Sequence, residues 1–216
     1  MEEKREERDG AAGARRLIHI PIIHTLEDMG NLSEAVQRAT ASRLGAKAWR
    51  QKLRAIDQRW SEIERVVERS GLSFDKVRLY QDGLPVCGRE REIVEELAGK
   101  GSRNHRLLVR LIEKGAILMG TESSELLREE YENIRQSLSP PGRRPVSKAG
   151  TLGTGEAETL LKRRDRFIAA RINATLRGGE TGILFLGMLH SLQGLLDEDI
   201  RVTMPALDAP GGKGTE

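Results

Sequence analysis

The chain has 216 residues, 38% hydrophobic and 32% charged, with a net charge of +3. That length supports one α/β domain with its own core, and so small a charge excess gives no case for nucleic acid. No apolar run approaches the length a bilayer requires, which excludes a membrane span, and the lone cysteine, Cys87, excludes an intrachain disulfide and fits a cytoplasmic setting.

Residues 1–15 mix both charge signs without an apolar stretch, which predicts a disordered lead rather than a secretory signal. Residues 17–24, Leu-Ile-His-Ile-Pro-Ile-Ile-His, read as the first strand. Pro21 removes a ladder donor, so an edge position or a bulge is expected there. His19 and His24 fall on opposite faces of such a strand. Residues 25–31 read as a polar loop, with Glu27 and Asp28 as either metal ligands or loop residues. Ser33 then suits an N-cap.

The helical pattern runs from there to about residue 69, with an interruption near Gly45. Trp49, Leu53, Ile56, Trp60, Ile63 and Val67 form an a/d seam. It is too short for a firm coiled coil. It fits a helical hairpin covering the sheet, or a homodimer contact. Residues 76–81 form the second strand, and 82–88 a loop rich in turn residues. Helices follow near 89–99 and 103–115, then a short strand at 116–119. Gly120-Thr121-Glu122-Ser123 opens a helix to about residue 138, whose buried stripe is Leu127, Tyr131, Ile134 and Leu138.

Residues 139–155 hold three prolines and several glycines and predict a mobile linker within the domain. A helix over 156–177 has Leu161, Phe167, Ile168, Ile172 and Leu176 facing inward, and ends at Gly178-Gly179. The most apolar run, residues 182–189, lies between glycines and suits a strand covered on both faces. His190 stands just past its end. A short helix near 191–196, a last strand at 200–203 and a disordered tail from 205 complete the pattern. The expectation is a single α/β domain over residues 16–204. Its mainly parallel sheet has about five strands flanked by helices, with a helical insertion after the first strand.

In an open parallel sheet, ligands bind outside the carboxyl ends of the strands. That rim would gather His24, Asp82, Glu122 and His190. Two histidines with acidic partners suit a divalent metal such as zinc, manganese or iron. His24, His190 and Glu122 are the candidate ligands, and Asp82 or Glu122 the candidate general base. The competing reading is a pair of hydrogen-bonded strand-end histidines, because no compact metal motif is present. Arg164 lies on the inward stripe of its helix, where it meets a carboxylate or an anionic substrate, or lays its stem on the core with its head in water. Lys162, Arg163, Arg166 and Arg171 read as a solvated face. Cys87 reads as a small packed residue before a nucleophile. Asp82 has a second reading in simple turn chemistry, Glu122 in the first turn of a helix. His105, in a polar first turn, receives no role.

Gly187-Met188-Leu189-His190 is a Gly-x-x-His motif at a strand end, and Arg164-Asp165 lies on the helix feeding that strand. This pairing resembles the C-terminal part of the TraB/GumN/TIKI-like group, related to the erythromycin esterase-like and ChaN-like proteins. In that group a second Gly-x-x-His comes early. Here the counterpart is Pro21-Ile22-Ile23-His24, with Pro in place of Gly, and Arg164-Asp165 stands for an Arg-Asn pair. The resemblance implies metal-dependent hydrolysis of a peptide or ester bond in a peptide or small-molecule substrate. The alternative is a non-catalytic module binding a small molecule or nucleotide, with Gly120 and Gly187 offering backbone N–H groups to an anion.

Overall fold

A computed structural model describes residues 13–25, 28, 33–137 and 154–207. The calls on residues 1–12, on Glu27, on Leu138 and most of the linker, and on the tail from 208 lie outside the described residues. The sheet is built from β1 (Arg15–Ile22), β2 (Val77–Gln81), β3 (Ile117–Met119), β4 (Thr181–Gly187) and β5 (Ile200–Thr203). Its order is β3-β2-β4-β1-β5 and every pairing is parallel. Six helices accompany it among the described residues: α1 (Ser33–Leu44), α2 (Ala46–Glu68), α3 (Glu90–Gly99), α4 (Arg103–Glu113), α5 (Ser124–Ser137) and α6 (Thr154–Thr175).

The apolar run takes the centre of the sheet as β4, and its alternation divides the core. Ile183 and Phe185 pack with Ile56, Trp60, Ile63 and Val67 of α2 and with Leu107, Leu108 and Leu111 of α4. Leu184 and Leu186 face the other way, onto Ile168 and Ile172 of α6. A strand covered on both faces has no polar side to show, which explains its composition. Gly182 is needed there because a Cβ would stand 2.7 Å from Leu17 Cδ1.

Pro21 sits in the interior strand β1, paired with Leu186, and not on an edge strand as expected. The reason is the length of β5, which pairs only with Arg15 to Ile18. Beyond that point β1 has no strand on its second side among the described residues, so a missing N–H is tolerated.

The helical insertion breaks at Gly45, whose φ of 78° favours glycine. The lower half of the α2 seam is spent inside the chain, since Ile56, Trp60, Ile63 and Val67 are all buried. Two expectations are corrected. The α5 stripe is not buried: Tyr131 is 39% and Ile134 37% exposed, and Leu126 is the buried residue of that helix. Residues 191–196 form turns rather than a helix, since the connection is short and Gly194 takes a φ of 72°. Among the described residues no helix is long and apolar enough to cross a membrane.

Candidate functional site

Parallel pairing puts the carboxyl ends of β1, β2, β3 and β4 on one rim, and each contributes one side chain there. His24 follows β1, Asp82 follows β2, Glu122 follows β3 and His190 follows β4. Asp82 is the hub. Its Oδ2 accepts from His24 Nε2 at 3.0 Å and from the Gly187 N–H at 2.8 Å, and lies 3.7 Å from His190 Nε2. Its Oδ1 accepts from Arg164 at 2.9 Å. Both imidazoles therefore converge on one carboxylate oxygen.

The glycine of the Gly-x-x-His motif has a local cause. A Cβ at Gly187 would stand 2.7 Å from Asp82 Oδ2, so any side chain would push the carboxylate off the strand end. The motif's histidine turns back through a bond from its N–H to the Gly187 carbonyl, at 3.1 Å. Gly120 is equally constrained, because a Cβ there would meet Val86 Cα at 2.8 Å. The Gly187 N–H is not open to an anion as expected, because it serves Asp82.

Arg164 and Asp165 come from α6 and are both buried. Arg164 forks onto Glu122 through Nε, at 3.0 Å, and through a terminal nitrogen, at 2.5 Å. Its other terminal nitrogen donates to Glu130. Asp165 Oδ1 pairs with His190 Nδ1 at 2.6 Å, and Oδ2 accepts from the Ser191 N–H at 3.2 Å. A carboxylate on Nδ1 holds a proton on that nitrogen and leaves Nε2 facing Asp82. Facing a carboxylate oxygen, Nε2 is favourably placed when it carries a proton or shares a cation with that oxygen.

Among the described residues the buried carboxylates at this rim are those of Asp82, Glu122 and Asp165, and they are met by the Arg164 guanidinium and by the imidazoles of His24 and His190. Burial pushes the Asp82 carboxyl up, but the His24 hydrogen bond and the positive charges of His24, His190 and Arg164 outweigh it and hold it below the ordinary range. Burial pushes His24 down, and its bond to Asp82 more than reverses this, leaving the imidazole raised. Burial leaves Glu122 raised despite its bonds to Arg164, and those same bonds outweigh burial at Arg164 and hold the guanidinium charged.

Asp82, Glu122 and His190 each offer a donor atom within 4.8 Å of the others, a spacing that suits one ion. His24 adds a second imidazole on Asp82. The fork from Arg164 makes Glu122 the most committed member of the set. Glu122 precedes α5 rather than lying in its first turn, so the dipole reading does not apply. Asp82 is a hub and not merely a turn residue. Cys87 is exposed, and its backbone N–H is held by Glu90 at 2.9 Å.

Sequence reasoning missed a second cluster. Asp28 accepts from the Thr25 N–H at 2.7 Å and from Ser102 Oγ at 2.5 Å, and Ser102 Oγ also meets His105 Nδ1 at 2.7 Å. Ser102 caps α4, accepting from the His105 N–H at 3.2 Å. Asp28 is thus engaged by Thr25 and Ser102, which fits its reading as a loop residue rather than a metal ligand. Only the Ser-x-x-His capping pattern hinted at this arrangement. No family model, curated protein or solved structure matches the chain.

Proposed function

We propose that the chain is a metal-dependent hydrolase whose site is the rim around Asp82. The observation that carries this reading is His190 Nε2 facing, at 3.7 Å, the Asp82 carboxylate oxygen that His24 Nε2 also meets, with Asp165 on the other nitrogen of the His190 ring and Glu122 within reach of the same point. His24, His190 and Asp82 would hold a divalent ion, zinc, manganese or iron. The set of two imidazoles and a carboxylate suits such a metal. To ligate through Nε2, His24 would be neutral with its one ring proton on Nδ1. When bound, the metal supplies Lewis acidity and lowers the pKa of water.

The chain's own groups divide the remaining work. Asp165 orients His190 and raises its basicity. Arg164 keeps Asp82 and Glu122 in place and limits their charge. Glu122, raised by burial, is the group suited to take and return a proton. The likeness of Gly187–His190 and Arg164-Asp165 to the TraB/GumN/TIKI-like group supports the same reaction class, with a peptide or ester bond as target. A cytoplasmic setting belongs to this reading.

Metal content is the test. Purified protein should carry or take up one equivalent of zinc, manganese or iron, and His24→Ala and His190→Ala should each lose it while remaining folded. A folded protein that takes up no metal under any loading condition sinks the hydrolase. One observation favours the alternative, a binding module without metal: Arg164 already supplies a cation to two of the carboxylates. In that case the histidine variants would leave metal content at zero and unchanged.

A further inference from the structure

The rim opens into a cleft of about 970 Å³ that runs from His24, Asp82 and His190 between α2 and α5. Its walls beyond the polar end are Trp49, Leu53, Leu127, Tyr131, Ile134 and Met188. Here the α5 stripe finds its explanation. Its apolar side chains are spaced for burial, yet no part of the described chain covers them, and they line the cleft instead. Met188 and Leu189, the two middle residues of the Gly-x-x-His motif, also line it, at 64% and 83% exposure. Exposed apolar residues are ordinary singly, but a contiguous set beside a polar site marks a binding surface.

We propose that this cleft binds the apolar part of a small acyl compound and holds its carbonyl end at His24, His190 and Asp82. The assignment rests on the hydrolase reading and names its substrate class. The volume falls at the upper end for small-molecule pockets. A cavity with apolar walls and polar groups gathered at one end matches a ligand with an apolar body and one polar end. The reaction is the addition of water across the acyl bond: the carbonyl carbon gains hydroxyl, its bond to the leaving oxygen or nitrogen breaks, and the leaving group takes the proton. The products are a free carboxylic acid and an alcohol or amine.

The product end of that reaction supplies the probe. Octanoate and decanoate are titrated calorimetrically into the full chain, metal-free and zinc-loaded. Affinity should rise about fourfold per added methylene, the equivalent of about 0.8 kcal/mol per buried CH₂. Zinc should tighten decanoate by roughly fivefold or more, the lower bound for two coupled sites. His190→Ala should remove that tightening. Ile134→Glu, at an exposed position, should abolish decanoate binding in both forms with zinc uptake intact. Tyr131→Ser should weaken it. Affinity independent of chain length, or unchanged in Ile134→Glu, overturns the proposal while zinc uptake stands. Sedimentation as a dimer that closes the cleft and excludes decanoate also overturns it. Decanoate bound without any zinc uptake sinks the hydrolase reading, and the acyl-substrate assignment falls with it.

Discussion

Two clusters of histidine and carboxylate lie side by side on this molecule, and the loop after β1 feeds both. At the rim, His24 keeps 35% of its side chain exposed and His190 points Nε2 at Asp82. In the neighbouring cluster, His105 is 5% exposed, Ser102 is fully buried, and the Asp28 carboxylate accepts from a hydroxyl and a backbone N–H. Burial pushes Asp28 up, and its bonds to His105, Ser102 and Thr25 outweigh that and hold it low. The residue types are alike. In the second cluster the carboxylate is held by a hydroxyl and a backbone N–H and the serine caps a helix, so it is a cap and a staple. In the first, two imidazoles and the Asp82 carboxylate open together on a cleft, so it can take a ligand. What separates a site from a brace is which polar atoms are gathered on one space.

The sharpest way to break that contrast is to remove the cation at the rim. Arg164→Ala leaves Asp82 and Glu122 buried without their partner, and should destabilise the fold by about 3–5 kcal/mol in urea. Zinc should restore part of the loss, because it supplies positive charge to the same carboxylates. Equal destabilisation with and without zinc would argue that the metal does not reach them.

Next in size is Asp165→Ala, which frees the His190 ring. Zinc affinity should fall about 10–100-fold, the usual consequence of losing such an orienting carboxylate. Ser102→Ala tests the closed cluster. It should cost about 0.5–2 kcal/mol as a lost helix cap, with zinc affinity unchanged. A loss of zinc affinity there would erase the distinction between the two regions.

The smallest effect is pH dependence of stability without metal. His24 is raised in the fold, so its contribution is full below about pH 6.5, its ordinary value, and is lost as pH rises through the raised value. Asp82 is depressed, so its contribution is present above its ordinary value of about 3.9 and is lost as pH falls through the lowered one. Stability from this pair is therefore full between those ordinary values and declines on both sides. Urea midpoints across that span should show the alkaline decline vanish in His24→Asn.

The difference between the clusters also marks what the sequence disclosed. The central strand was legible because a run from Gly182 to Leu189 without polar residues suits a strand covered twice, although the strand ends at Gly187 and Met188 and Leu189 stand exposed beyond it. The rim followed from it, since parallel strands bring their carboxyl ends to one edge wherever their residues lie in the chain. Arg164 stood out as a charge on an apolar stripe. The α5 stripe misled, because periodicity reports which side chains align and not whether anything covers them. The Ser102 to Asp28 bond spans 74 positions and leaves no periodic trace. That Asp82 is the hub and Glu122 the arginine's partner depended on side-chain directions that spacing does not encode.

The central claim is that His24 and His190 share one ion through their Nε2 atoms, and nitrogen NMR of the three ring systems tests it most directly. One equivalent of zinc should move the Nε2 resonances of His24 and His190 together to metal-bound positions, with His190 Nδ1 still protonated and His105 unchanged. Resonances of His24 and His190 that stay put at stoichiometric zinc, or a shift confined to His105, would contradict it.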